Sequence, residues 1–482
     1  MSQISNGTTQ LSALDLIMPP VHTRMILALS INSTDSKIGV SALRDALDAT
    51  AREIPLLTGT VEAAQPGGPL MVHFAKEAKV ECMIKDWTRR DVIWPMSYAE
   101  HRDLEFEPSD LDGSKLLSLP KSPEAKNPVF STQFNIIPGG ALLAIACHHS
   151  VTDGPGVGTI LRTWAGHCKA IQEGTASSFP SVNTSDLDRS PLIHGGKSEN
   201  NVELPGYTIT KTLPPQPNFG AMASMPAAVS KIFSITTAAL ASLKQDLISH
   251  LNPSISKSAL SENPDDVKTW VSTNDTLCAL IWHSVSKARL ATSHSDLTTT
   301  SDDPKGEQRK LGFAVNGRTR LSPPLPSNYL GNVNIYACAS RPLAALTSVV
   351  TSDLAATALS IRSAVNKVDD TYIRALLARC DEVEDVAKCV KPAFDNFFGK
   401  DFAITTWLEQ GIYELDWGKA LGGKVDAVRL PKAAFDGLAI VLPRRGDGGV
   451  EVLVGLKVED MRRLEGDEVW RRFARLVGEG RR

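Results

Sequence analysis

His148 and His149 stand side by side in this 482-residue chain, and Asp153 and Gly154 follow at the fourth and fifth positions after the second of them. Imidazole is the side chain best suited to moving protons near neutral pH, so acid–base chemistry would sit here. The run before the pair, Ala141-Leu142-Leu143-Ala144-Ile145-Ala146, is unbroken, apolar and of strand length. Such a run predicts a strand buried on both faces. Gly154, Pro155, Gly156 and Gly158 then make a turn, and a helix is expected over about 157–173 with Ile160, Leu161 and Trp164 inward. The histidines therefore fall where a buried strand ends. His149 is read as a general base, and His148 as a packing or hydrogen-bonding residue. Asp153 reads as an anchor for the turn rather than a direct participant. Ser150 has no separate base in the sequence and no G-x-S-x-G elbow occurs, so no serine nucleophile is expected.

Two further segments carry patterned residues. One is Asn316-Gly317-Arg318-Thr319-Arg320-Leu321-Ser322-Pro323-Pro324-Leu325-Pro326, followed by Tyr329-Leu330-Gly331-Asn332. The other is Asp416-Trp417-Gly418-Lys419, followed by Leu421-Gly422. With His149-x-x-x-Asp153, their order and spacing resemble the BAHD family of acyl-CoA-dependent acyltransferases, and its fungal branch above all. That resemblance implies an α+β fold of two chloramphenicol-acetyltransferase-like domains, each a mixed β-sheet flanked by helices. It also implies a tunnel between them that reaches His149 from both mouths.

The chemistry implied is direct attack of a secondary-metabolite hydroxyl on acyl-CoA, acetyl-CoA in the fungal branch. His149 would be the base, with no covalent enzyme intermediate and no permanently bound cofactor. Such a transfer asks for a base at the attacking hydroxyl and a polar group for the oxyanion. Amine acylation would use the same base. H-H-x-x-x-D-G also marks condensation-type domains that take acyl groups from carrier proteins, a reading against which the Asp416-Trp417-Gly418 segment and the expected lack of an attached carrier domain count.

The family's second signature is D-F-G-W-G, and this chain departs from it, with Trp417 in place of Phe and no second Trp-Gly. Asp416 is carried over as a catalytic candidate beside His149. The competing reading makes it part of a structural turn, paired with buried Arg318 or Arg320, because a buried carboxylate needs a partner. Asp153, Gly154, Gly418 and Arg318 are expected to be structural. Arg318 and Arg320 could alternatively hold CoA phosphates. Spacing alone does not select the residues that contact CoA.

Composition narrows the remaining classes. The net charge of −3 comes without a strongly basic block, which argues against nucleic acid as a partner. No apolar run approaches the length of a membrane span, and the polar stretch Met1 to Gln10 lacks a signal pattern. Seven dispersed cysteines without C-x-x-C spacing predict reduced thiols and no metal site. A cytoplasmic monomer is expected.

The length calls for two domains: 1–180 with the histidines, a crossover linker 181–228, and 229–482. The linker, rich in Ser, Pro, Asn and Gly, is expected to carry no chemistry. Strands are expected at 25–29, 59–61, 71–74 and 80–85, then a hairpin of 130–137 and 141–147. Further strands are expected at 231–235, 311–315, 333–339, 402–406, 411–415, 438–442 and 450–456. Helices are expected at 36–51 with Ser36 as cap, 236–250, 272–288 capped at its start, 344–368 and 459–477. Segments 254–266 and 293–306 read as loops.

Overall fold

A computed structural model describes residues 7–31, 35–63, 70–75, 78–89, 94–117, 119, 127–177, 179–196, 202–213, 226–251, 270–296 and 306–478, with only the backbone over 291–296. Segment 254–266 and residues 297–305 therefore lie outside the described residues, while 293–296 continue the helix Thr273–Asp296 instead of the expected loop.

A five-stranded mixed sheet holds the first half. Its order is Ala427–Arg429, His22–Leu29, Gly140–His148, Phe130–Ile137, Cys82–Asp86. Strand Gly140–His148 lies at the centre, hydrogen-bonded on both sides by antiparallel neighbours. Every one of its residues is buried. Leu143, Ile145 and Cys147 pack with helices Ser36–Glu53 and Gly154–Glu173 on one face. Leu142, Ala144 and Ala146 pack with Trp94, Tyr98, Phe106 and Leu116 on the other. The uninterrupted apolar run thus has the two-sided burial expected of it.

A seven-stranded mixed sheet holds the second half, in the order Asn334–Pro342, Gln308–Asn316, Phe402–Thr406, Leu438–Val441, Val450–Lys457, Ala228–Ile235, Arg475–Leu476. Helices Thr237–Leu251, Thr273–Asp296 and Thr351–Asn366 contribute to the core beside it. Two antiparallel sheets complete the fold: Gly7–Gln10, Leu70–Phe74 and Thr60–Ala63, and the pair Tyr207–Ile209 with Val390–Pro392. The architecture is α+β, two mixed sheets flanked by helices.

The halves exchange segments. Strand Ala427–Arg429 leaves the second half to form the edge of the first sheet. In return, helix Ala13–Ile17 buries Ala13, Leu14 and Ile17 in the core of the second half. Neither half is therefore a contiguous stretch.

Several local expectations are corrected. Helix Ser36–Glu53 begins one residue after Asp35, which holds the cap position without a side-chain bond, so Ser36 is not its cap. The helix after the histidines begins at Gly154, not Val157, because Asp153 caps it. Segment 411–415 is a 3-10 turn, Ile412–Glu414, instead of a strand. Gly411 at φ 63° starts that turn. The helix expected over 344–368 breaks into Leu343–Leu346 and Thr351–Asn366. The last one breaks at Asp467, which caps Glu468–Phe473 before a short edge strand.

Candidate active site

The turn from His149 to Gly154 joins the central strand to helix Gly154–Glu173. Asp153 fixes its geometry. Its Oδ1 accepts the Gly156 N–H at 3.1 Å and the Arg318 Nη2 at 2.7 Å. Its Oδ2 accepts the Arg318 Nη1 at 2.9 Å and the Val333 N–H at 2.9 Å. Four donors occupy the carboxylate, so Asp153 is fully engaged away from the imidazole. The pair is buried, Asp153 at 1% and Arg318 at 2% exposure. Arg318 spends its remaining donors on the carbonyls of Tyr329 (2.8 Å) and Gly331 (2.8 Å). A bidentate guanidinium thus clamps a turn of the first half to the segment 329–333 of the second. Asn316 accepts from the Arg318 N–H at 3.1 Å.

Gly156 allows this close approach. A Cβ there would stand 2.8 Å from the Leu330 carbonyl oxygen and nearer still to the Thr152 hydroxyl. Gly154 faces Gln410, whose amide nitrogen would lie 2.6 Å from a Cβ.

His149 is held by its main chain. Its N–H donates to the Val21 carbonyl at 2.8 Å, and its carbonyl accepts from Asn332 Nδ2 at 2.9 Å. The residue keeps partial exposure, while its Nδ1 is buried and makes no hydrogen bond of acceptable geometry. Burial pushes its pKa below the ordinary value of 6.5. The carbonyl of His149, the Asp153 charge, the Thr152 carbonyl and Asn332 pull the other way. The ring is therefore neutral at neutral pH, as a general base must be. Ser150 Oγ donates to the Met18 carbonyl at 3.4 Å rather than to an imidazole.

His148 is fully buried. Its Nδ1 accepts the Ser150 N–H at 3.3 Å, its Nε2 pairs with the Asn127 amide at 2.8 Å, and it meets His22 edge-on at 5.2 Å. Burial first, then the charges of His22 and His149, press its pKa down to about 4.

Sequence reasoning missed Asp15, Arg189 and the part played by Asn332. Asp15 accepts from the Asn332 N–H and Nδ2, both at 2.8 Å. It also pairs with Arg189 at 3.2 Å, whose Nη2 donates to the Val151 carbonyl at 2.8 Å. Arg189 lies inside the segment expected to be an inert linker. That expectation fails because this part of the segment folds back beneath the histidine turn, where the Asp186 carbonyl accepts the Leu330 N–H at 2.8 Å. The available signal was Ser12 with Asp15 before an apolar run, a capping box; Arg189 carried none, as one of several charges in its stretch.

Asp416 lies elsewhere. It pairs with Lys169 at 2.8 Å, both side chains 39% exposed, and accepts the Gly418 N–H at 2.9 Å. Its partner is neither Arg318 nor Arg320, which corrects the expected pairing. Arg320 donates to the carbonyls of Val365 (2.9 Å) and Val368. Lys169 is sixteen residues along the helix from its Asp153 cap, about 24 Å at 1.5 Å per residue. Asp416 thus sits beside the opposite end of that helix from His149. Gln172 completes the clasp, with its Nε2 donating to the Trp417 carbonyl at 2.7 Å and its Oε1 accepting the Ala420 N–H at 2.8 Å. Trp417 is fully buried against Trp164, ring centroids 5.4 Å apart. Gly418 takes φ 84°.

No group of three or more metal-ligating side chains occurs among the described residues, and none of their helices is long and apolar enough to cross a membrane.

Two mixed sheets with a histidine at the end of a central strand, and an aspartate–arginine clamp between halves, define the acyltransferase architecture of the BAHD type. The chain belongs to the transferase family, whose model matches residues 103–469. The trichothecene 3-O-acetyltransferase-like N-terminal domain matches residues 21–168. It is an acyltransferase that transfers groups other than amino-acyl groups. An eremophilane O-acetyltransferase of Penicillium roqueforti is 27% identical, covering 96% of this chain and 97% of its own length. A second eremophilane O-acetyltransferase, of Penicillium rubens, is 26% identical over 96% and 97%. Among solved structures, TRI101 of F. sporotrichioides, complexed with coenzyme A and T-2, superposes with a TM-score of 0.76 at 22% identity, covering 98% and 100%. Vinorine synthase superposes with 0.63 at 16% identity, over 99% and 96%.

Proposed function

We propose that this chain transfers an acetyl group from acetyl-CoA to a hydroxyl of a small secondary metabolite, with His149 as general base. The observation that carries the reading is a partly exposed histidine, its pKa pressed down by burial, whose neighbouring aspartate is engaged by Arg318 and two backbone N–H groups. His149 can take a proton from an acceptor, but nothing beside it is arranged as an enzyme nucleophile. Direct attack on the thioester follows: the hydroxyl oxygen bonds to the acyl carbon, its proton passes to His149, and the CoA thiolate leaves and recovers that proton. The names of the relatives support oxygen as acceptor and acetyl as donor group. Acceptor and acetyl-CoA reach His149 from opposite mouths of a tunnel between the halves in this reading, and the enzyme acts as a monomer in the cytoplasm.

The pairing with Lys169 supports an architectural rather than a catalytic part for Asp416 in this reading. A carboxylate paired with Lys169 at the far end of the helix has no reach to the reacting atoms. Asp153, Gly154, Gly418 and Arg318 keep their structural assignments. Arg318 and Arg320 are engaged by protein acceptors, which leaves them unsuited to CoA phosphates.

The test incubates purified protein with radiolabelled acetyl-CoA and a panel of hydroxylated sesquiterpenes and of amines. Label should appear in an ester and depend on His149. Label in amides alone would make the enzyme an N-acyltransferase. Transfer from carrier-bound thioesters but from no acyl-CoA would replace the proposal with condensation-type chemistry.

A further inference from the structure

Asn332 makes its own orientation unambiguous. The nitrogen of its amide faces the Asp15 carboxylate at 2.8 Å and the His149 carbonyl at 2.9 Å. Both are acceptors, so only the NH2 end can point there. The other end is therefore the carbonyl oxygen. That oxygen is buried and has no hydrogen-bond partner. The His149 Nδ1 is also buried and makes no well-formed hydrogen bond, with the carbonyls of His149 and Thr152 and the Asn332 side chain all close enough to act on the ring. Two orphaned polar atoms, one an acceptor and one able to donate, thus belong to residues already bonded to each other. A buried polar atom left unpaired is costly, and a bond between these two, whose side chains already interact, removes both penalties.

We infer that Asn332 is the positioning residue of the catalytic histidine: its Oδ1 accepts the Nδ1–H of His149, which leaves the lone pair on Nε2 for the acceptor hydroxyl. This rests on His149 being the base. It assigns to an asparagine the part that an aspartate plays in a serine hydrolase triad, and it explains why Asp153 can be given over to Arg318. The amide is held in turn by Asp15, whose charge Arg189 balances at 3.2 Å. A neutral acceptor also suits this step. A carboxylate at Nδ1 would raise the pKa of the ring and keep it protonated, whereas an amide fixes the tautomer and leaves the ring neutral.

The first measurement needs no variant. Long-range 1H–15N NMR of the full-length protein, with His149→Gln used to assign the signal, should show His149 as the Nδ1–H tautomer. Asn332→Ala and Asn332→Ser should then convert that signal to a mixture of tautomers. In both variants kcat should fall by about ten- to a hundredfold, with KM for acetyl-CoA unchanged and the acid limb of the kcat pH profile moved to lower pH. A purely structural role would lower yield and Tm without moving the tautomer or the limb. An Nε2–H tautomer in the unmodified protein overturns the inference. So does an unchanged Nδ1–H signal in both variants, which would hand the ring to the carbonyls of His149 or Thr152. Full activity in His149→Ala would instead remove the base itself, a separate failure from that of Asn332.

Discussion

His149 and His148 are neighbours with opposite fates, and the difference lies in what each ring can reach. His149 retains exposure, while its pKa lies below 6.5 through burial. As the proposed base, His149 is active when neutral, so kcat should rise with pH through a single acid limb centred below pH 6.5 and stay level above it. A pH–rate profile checks this, and a limb above 6.5 would contradict it. His149→Ala should lower kcat by about 10²–10⁴-fold with the unfolding midpoint unchanged, measured by steady-state kinetics beside urea denaturation. His148 bears on stability instead. Its folded pKa is about 4, against 6.5 in the unfolded chain, so the unfolded state binds the extra proton between these values. Stability therefore falls as pH drops from 6.5 towards 4, by up to about 3 kcal/mol from this ring alone. Denaturant titrations across that range should show the loss, and His148→Gln should flatten it.

The helix Gly154–Glu173 is the element that joins the two motifs. Its first end is capped by Asp153 beside the histidines, and its last turns grip the Asp416–Leu421 loop through Lys169, Gln172 and Trp164. The D-W-G segment is thus read as a clasp, and its energetics should be those of packing. Gly418 sits at φ 84°, and a Cβ would lie 2.3 Å from the Gln172 amide. Gly418→Ala should destabilise by roughly 1–3 kcal/mol through backbone strain, with a further loss where Gln172 is displaced. Asp416→Asn removes one partner of a well-exposed, solvent-screened pair and should cost less than about 1 kcal/mol. Its activity should stay within about tenfold of the unmodified enzyme, against the much larger loss at His149. Unfolding curves and kcat for the two variants decide the matter. An Asp416→Asn enzyme as inactive as His149→Ala would return that carboxylate to the chemistry.

Across the whole molecule, buried ion pairs among the described residues tie the parts together: Asp153 with Arg318 and Glu451 with Arg429 join the two halves, and Asp15 with Arg189 joins the N-terminal helix to the crossover segment. Arg429 lies on the exchanged strand and also holds the carbonyls of Glu105 and Phe106, at 2.7 Å and 3.0 Å. Breaking such a pair leaves an uncompensated buried charge, worth about 3–5 kcal/mol. Arg318→Met should therefore lower stability by that amount. Asp153→Ala should harm soluble yield more than His149→Ala does. The double variant should cost less than the sum of the two, because they share one interaction. Fluorescence and far-UV circular dichroism should report one coincident unfolding transition, since the exchanged segments tie each half to the other's core. Separate transitions would show that the halves fold independently.

What the sequence determined by itself was local. Hydrophobic run, histidine pair, aspartate and glycines are contiguous, and a strand–turn–helix junction depends on nearest neighbours, so its existence and the place of His149 were legible before any fold. The mixed-sheet architecture was implied by the family resemblance that the three motifs carry. The tertiary structure decided the partners. Asp153 and Arg318 are 165 positions apart, and His149 and Asn332 are 183 apart. Nothing in chain spacing tells which arginine a carboxylate will meet across an interface. Arg189 was hidden in a polar stretch because burial depends on what folds over a residue, not on its neighbours. Asp416 is a catalytic candidate by its motif alone, and the proposed architectural part rests on its place in the fold. The rise of one helix then set it far from the imidazole, since proton transfer needs contact and a motif carries no distance.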